Sequence, residues 1–221
     1  MRSRIAALLL TASVLAAAPL QAQTLFTYNG TGSAIKVNYG TTTTPLYEWV
    51  GTYSGTEGSG SGAVAIGLNC VDFFHNVTAG QQWYAKIDNL GSGNIADTYH
   101  ASQSGALALY KQAAWLISQE TTSNVQAIQG TIWNLFAVAP GIPSSSYWLS
   151  QAQTNYNSIS YTNWYVVSDV RGAANSASAQ EFLIYQPGLT TTVTPEPASL
   201  VLLGTGLIGM AVVRTRRKKN S

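Results

Sequence analysis

Val64–Cys70 reads VAIGLNC, a seven-residue run in which Val64, Ile66, Leu68 and Cys70 fall on one face and Ala65, Gly67 and Asn69 on the other. Side chains of a strand alternate between faces, so this period of two predicts a half-buried β-strand with Cys70 pointing into the core. A second strand follows from Gln82 to Asp88, where Trp83, Ala85 and Ile87 alternate with Tyr84, Lys86 and Asp88. Further strands are expected near Tyr47–Tyr53, Asn163–Val170 and Glu181–Tyr185, and Gly55–Gly62 (GTEGSGSG) reads as a flexible loop. The middle of the chain changes period. Gly105–Ser118 predicts a helix with Leu109, Ala113, Leu116 and Ile117 on one stripe. A second helix is expected from the Ser123/Gln126 spacing of a capping box, with Val125, Ile128, Ile132, Leu135 and Phe136 as its apolar stripe, ending before Pro140. The expected fold class is therefore mainly β with a small helical insertion (α+β).

The two ends are of another kind. Arg2 and Arg4 precede the apolar run Ile5–Ala18, and Leu20-Gln21-Ala22 offers a small residue before a cleavage point, so residues 1–22 read as a secretory signal peptide. At the other end Pro195-Glu196-Pro197 leads into the 16-residue apolar run Ala198–Val213 and then Arg214-Thr215-Arg216-Arg217-Lys218-Lys219. Sixteen residues fall short of the roughly 20 that span a bilayer comfortably, and the basic flank would hold the C-terminus in the cytoplasm. The arrangement resembles the PEP-CTERM signal of Gram-negative bacteria. That resemblance implies an exosortase as partner, which recognises Pro195, Glu196 and Pro197 and removes the helix and basic end, and a transient stay in the inner membrane through residues 198–213. An ordinary single-pass anchor would keep the same topology. Gln186–Thr194 (QPGLTTTVT) reads as a linker to this signal.

Setting the ends aside changes the charge. Seven of the eleven basic residues lie there, and between Gln23 and Thr194 only Lys36, Lys86, Lys111 and Arg171 face eight acids, a net charge of −4. A weakly acidic body of this kind has no footprint for nucleic acid. Its length, about 165 residues, suits one domain, residues 23–185. Two histidines and one cysteine at these spacings give no metal-ligand cluster, and no cofactor is expected.

Several stretches of the body resemble a second family. Ile128–Trp133, IQGTIW, is similar to the glutamine motif of bacterial thioester domains, with Ile128 and Thr131 standing where that family usually has Thr and Ala. Asn69-Cys70-Val71-Asp72 resembles the cysteine motif, Ala113-Ala114-Trp115-Leu116-Ile117 the helix before the glutamine motif, and Ala179-Gln180-Glu181-Phe182 the closing strand. The resemblance implies a single thioester-domain-like domain in which the Cys70 sulfur attacks the Gln129 side-chain carbonyl and expels ammonia. The bond would then await a surface amine, giving an amide, or a hydroxyl, giving an ester. Such a protein would be adhesin-like, attached once per molecule at the cell surface or in a biofilm matrix, and not an enzyme that turns over.

Other readings of the same residues stand beside this one. Cys70 alone reads equally as a buried thiol or as half of an intermolecular disulfide, leaving a non-reactive surface protein of the same fold. His75, five residues after Cys70, is positioned to assist proton transfer or is a turn histidine, and Asp72 orients the sulfur or a backbone amide, or simply ends the strand. A cysteine hydrolase would use Cys70 with His75 or His100 and a carboxylate such as Asp97, but nothing around Cys70 supplies a charge to activate the thiol.

Overall fold

The computed structural model describes residues 23–189, which lie within one compact unit. The expected signal peptide, the sorting signal with its apolar run 198–213, and the linker beyond 189 lie outside the described residues. Six strands, β1 (Thr24–Gly30), β4 (Thr52–Glu57), β5 (Val64–Cys70), β6 (Gln82–Asn89), β7 (Trp164–Asp169) and β8 (Phe182–Tyr185), close into a barrel in the order β1-β4-β5-β8-β7-β6. Every neighbouring pair is antiparallel. Two short strands, β2 (Ile35–Asn38) and β3 (Tyr47–Val50), form a separate ribbon. Three helices, α1 (Ala106–Ser118), α2 (Val125–Phe136) and α3 (Ser146–Asn155), all fall in the connection between β6 and β7.

The alternation expected of β5 is present from Ile66 onward: Ile66, Leu68 and Cys70 are buried, whereas Val64 at the start is exposed. Their face fills the barrel. Phe26, Tyr28, Tyr53, Leu68, Trp83 and Phe182 pack there, with Trp83 lying 5.9 Å from both the Phe26 and Phe182 rings. The interior is thus a packed core of aromatic rings. A second core lies between barrel and helices, where Val166 and Leu183 turn outward against Ala113, Leu116, Ile128 and Ile132. Strand β7 is buried on both faces because Tyr165 and Val167 face the barrel interior while Trp164 and Val166 face the helices.

Four expectations need correction. Tyr47–Tyr53 is two strands in two sheets, since Gly51 at φ +103° turns the chain between β3 and β4, a conformation open to glycine. The stretch Gly55–Gly62 is a loop only after Glu57, because β4 continues through Gly55 to pair with Ile66 and Thr27–Tyr28 on either side. The Ser123/Gln126 capping box does not form. Asn124 precedes the helix, and its side chain accepts from the Thr121 N–H at 2.7 Å instead, closing a tight turn ahead of α2. Asp88, expected on the outer face of β6, is buried under the following loop, where it accepts from the Asp97 N–H at 3.0 Å. Burial pushes its carboxyl up to about 6, against the pull of that N–H.

Candidate functional site

Cys70 is the last residue of β5 and sits opposite Phe182 on β8, with its sulfur inside the barrel and no exposed surface. Gln129 and Trp133, one turn apart on α2, both reach this strand end. The Gln129 carboxamide Nε2 donates to the Cys70 carbonyl at 2.8 Å, and the Trp133 indole Nε1–H points at Cys70 Sγ from 3.5 Å. Cys70 and Gln129, 59 positions apart in sequence, are thereby brought to direct contact. Gln129 is 1% exposed, so its contact excludes water.

Helix α2 is approached closely by the segment that follows it. A Cβ built on Gly130 would meet the Pro143 carbonyl oxygen at 2.6 Å, which only glycine avoids. Asn134 Nδ2 donates to both the Gly130 and Ile142 carbonyls, at 2.8 and 3.0 Å, and Thr131 Oγ1 accepts from the Ser145 N–H at 3.0 Å. Thr131 thus ties the segment after α2 to the helix. Phe73 and Tyr39 wall Trp133, at ring distances of 5.2 and 6.1 Å, and the Tyr39 hydroxyl donates to the Gln126 carbonyl at 2.7 Å. Gln126 lies on this outer rim, its carboxamide directed to the Asn38 carbonyl at 3.4 Å.

Asp72 and His75 form a pair through Oδ2 and Nδ1, and Asp72 Oδ1 accepts from the Phe74 N–H at 2.9 Å. The Asp72 carboxylate therefore orients a backbone amide and the His75 ring. What meets the sulfur is the Asp72 backbone: Cys70 Sγ–H donates to its carbonyl at 3.0 Å. His75 packs against Tyr99 at 5.4 Å. His100 stands apart, stacked on Phe136 at 4.8 Å, and burial lowers its pKa. Asp97 is engaged by Lys86.

Burial pushes the Cys70 thiol up to about 12, and the Trp133 N–H only partly offsets this. The site therefore penalises a thiolate and favours a neutral sulfur, either a thiol or a thioester. A hydrolase that attacks through a standing thiolate needs the reverse.

One residue of the neighbourhood carries more than its place in a strand motif suggested. Glu181, fully buried, precedes β8 and accepts from Ser168 Oγ at 2.6 Å, from the Tyr99 N–H at 2.6 Å and from the Tyr110 hydroxyl at 2.5 Å. Its own carbonyl accepts from the Val71 N–H at 3.0 Å, one residue past Cys70. A lone acid abutting the apolar run FLI is the signal in sequence that marks it. Among the described residues no group of three or more His, Cys, Asp and Glu is arranged to hold a metal ion, and no helix is long and apolar enough to cross a membrane.

Residues 193–218 match the PEP-CTERM protein-sorting motif. The motif implies exosortase as the processing enzyme and a membrane-anchored precursor sorted for export. No curated protein and no solved structure matches the chain.

Proposed function

We propose that the barrel domain of this exported protein attaches covalently, once per molecule, to an amine or hydroxyl of a surface or matrix partner through a thioester between Cys70 and Gln129. The observation that carries this reading is the contact of the Gln129 carboxamide with the Cys70 strand end at 2.8 Å, both residues buried and beside the Trp133 indole. In the step proposed, Sγ bonds to the Gln129 side-chain carbonyl carbon, the carbon–nitrogen bond breaks, and ammonia leaves with the amide nitrogen and the thiol proton. A partner amine then forms an amide to Gln129 and returns the thiol to Cys70. In this reading His75, oriented by Asp72, serves as the base that carries the proton in each direction. The apolar shell of Leu68, Phe73 and Trp133 slows the competing attack by water. Attachment consumes the bond, so the protein is a single-use linker.

A second reading has its own support. The Cys70 thiol and the Gln129 amide are each satisfied by a backbone carbonyl, as in an inert core, which fits a structural or binding module of the same fold. Intact mass separates the two. Under the thioester reading the protein weighs one ammonia less than its sequence, the deficit is absent in Cys70→Ala, and methylamine abolishes it by adding to Gln129. An unshifted mass with a thiol that alkylates on unfolding would leave the inert module.

A further inference from the structure

A cleft of about 280 Å3 opens beside the ribbon, where the start of β4 meets the turn between α1 and α2. Ile35, Val50 and Val125 form apolar walls beside Thr52 and Thr121, whose hydroxyls are bonded to Asn69 Oδ1 at 2.8 Å and Ser123 Oγ at 3.0 Å. Glu120 lines it as the sole charged residue. One oxygen of its carboxylate, Oε1, is shut away from water with no hydrogen-bond partner, while the side chain as a whole keeps partial exposure. A carboxylate so placed is costly, and the cost is relieved either by taking up a proton or by a counter-charge.

The described residues supply none. Lys36 lies over the Tyr47 ring and Lys111 over the Tyr161 ring, each at 5.1 Å, while Lys86 pairs with Asp97 and Arg171 with Asp169. All four cations of the body are thus engaged elsewhere. We propose that this cleft binds a primary ammonium group carried on an apolar stem, the ammonium meeting the accessible side of the Glu120 carboxylate and the stem lying against Ile35, Val50 and Val125. One carboxylate between apolar walls is too sparse an oxygen set for a hard divalent cation, which takes six or more ligands. The proposal needs neither Cys70 nor Gln129 and stands apart from the thioester reading.

The linkage to protons has a definite sign. Burial pushes the Glu120 carboxyl up to about 8, so near neutral pH it is largely protonated, and a bound ammonium must displace that proton. The titratable group coupled to it is Tyr39, raised well beyond this range first by burial and then by the charges of Glu48 on β3 and Glu120.

The test is a calorimetric titration of the full chain, in mild detergent, with n-butylammonium chloride at about pH 6, 7 and 8. Saturable binding that tightens as pH rises toward 8, by up to about tenfold per pH unit, with proton release, is expected. It should vanish in Glu120→Gln and persist in Cys70→Ala. An affinity independent of pH, binding retained by Glu120→Gln, or calcium chloride binding in place of the amine would each overturn the proposal. Should Glu120→Gln not fold, the wild-type pH profile decides alone. Repeating the titration with Nα-acetyl-lysine amide and with glucosamine tells a peptide amine from a sugar amine.

Discussion

Glu181 sets how stability responds to pH. Its carboxylate has no exposed surface, and burial carries the group from an ordinary 4.5 to about 7 even though Ser168, Tyr110 and the Tyr99 N–H all favour its charged form. Between those two pH values the unfolded chain has lost this proton and the folded chain retains it. Stability from this group is therefore complete below about 4.5, declines as pH rises, and is gone above about 7. At about 1.4 kcal/mol per pH unit, the decline is roughly 3 kcal/mol. Glu181→Gln is neutral at every pH and mimics the protonated acid, so it should remove this slope while leaving the contributions of Glu120 and Asp88 in place. Urea unfolding of wild type and variant at about pH 4.5 and 8 reads the difference. The wild type should lose about 3 kcal/mol more than Glu181→Gln across that interval. Equal losses in the two proteins would mean that Glu181 ionises normally and that its three donors outweigh burial.

Two further outcomes follow from the geometry. Gly130→Ala places a methyl 2.6 Å from the Pro143 carbonyl and 3.2 Å from Ile142 Cγ2, so α2 must shift from the 139–145 segment; a loss of about 1–3 kcal/mol is expected in urea, and an unchanged midpoint would show that the contact is slack. Asp169 is buried, which alone would raise its carboxyl, but the Arg171 guanidinium and the Ala179 N–H hold it below the ordinary 3.8. Its stabilisation is present above that value and is lost as pH falls toward the lower folded one, so the advantage of wild type over Asp169→Asn should shrink in acid. A constant advantage from about pH 6 to 3 would refute the pairing.

The parts of the fold visible in sequence are those where packing and periodicity agree. In β5 and β6 the interior residues Leu68, Cys70, Trp83 and Ala85 are also the apolar members of an alternating run, and α1 lies within a residue of its expected bounds. Strand β1 escapes because Phe26 and Tyr28 alternate with only Leu25, Thr27 and Asn29 in a run directly after the expected cleavage point. Helix α3 escapes because SYWLSQAQTN is polar and buries only Ala152, so it lacks the stripe that marks α1 and α2. At the site, the contact of Cys70 with Gln129 was suggested by motif resemblance, because no local pattern relates residues 59 apart. Glu120 is an ordinary acid in sequence, and Glu181 is marked only by the apolar run FLI that follows it. Their perturbation comes from what the ribbon, the loop at Tyr99 and strand β7 lay over them, which only the tertiary fold supplies.

Closure of the barrel has a consequence for crowding. A sheet with free edges offers unpaired N–H and C=O groups to any neighbouring copy, and strand exchange between copies is a route to aggregation. Here β1 is flanked by β4 and β6, and β8 by β5 and β7, so both terminal strands of the domain are occupied on each side. The free edges among the described residues are those of the ribbon, whose strands are four residues long and carry Lys36 and Glu48, and the Val64–Leu68 side of β5, which β8 pairs only at Asn69 and Cys70. Strand exchange between copies is therefore confined to these short stretches, and self-association over the rest of the barrel wall has to run through side chains.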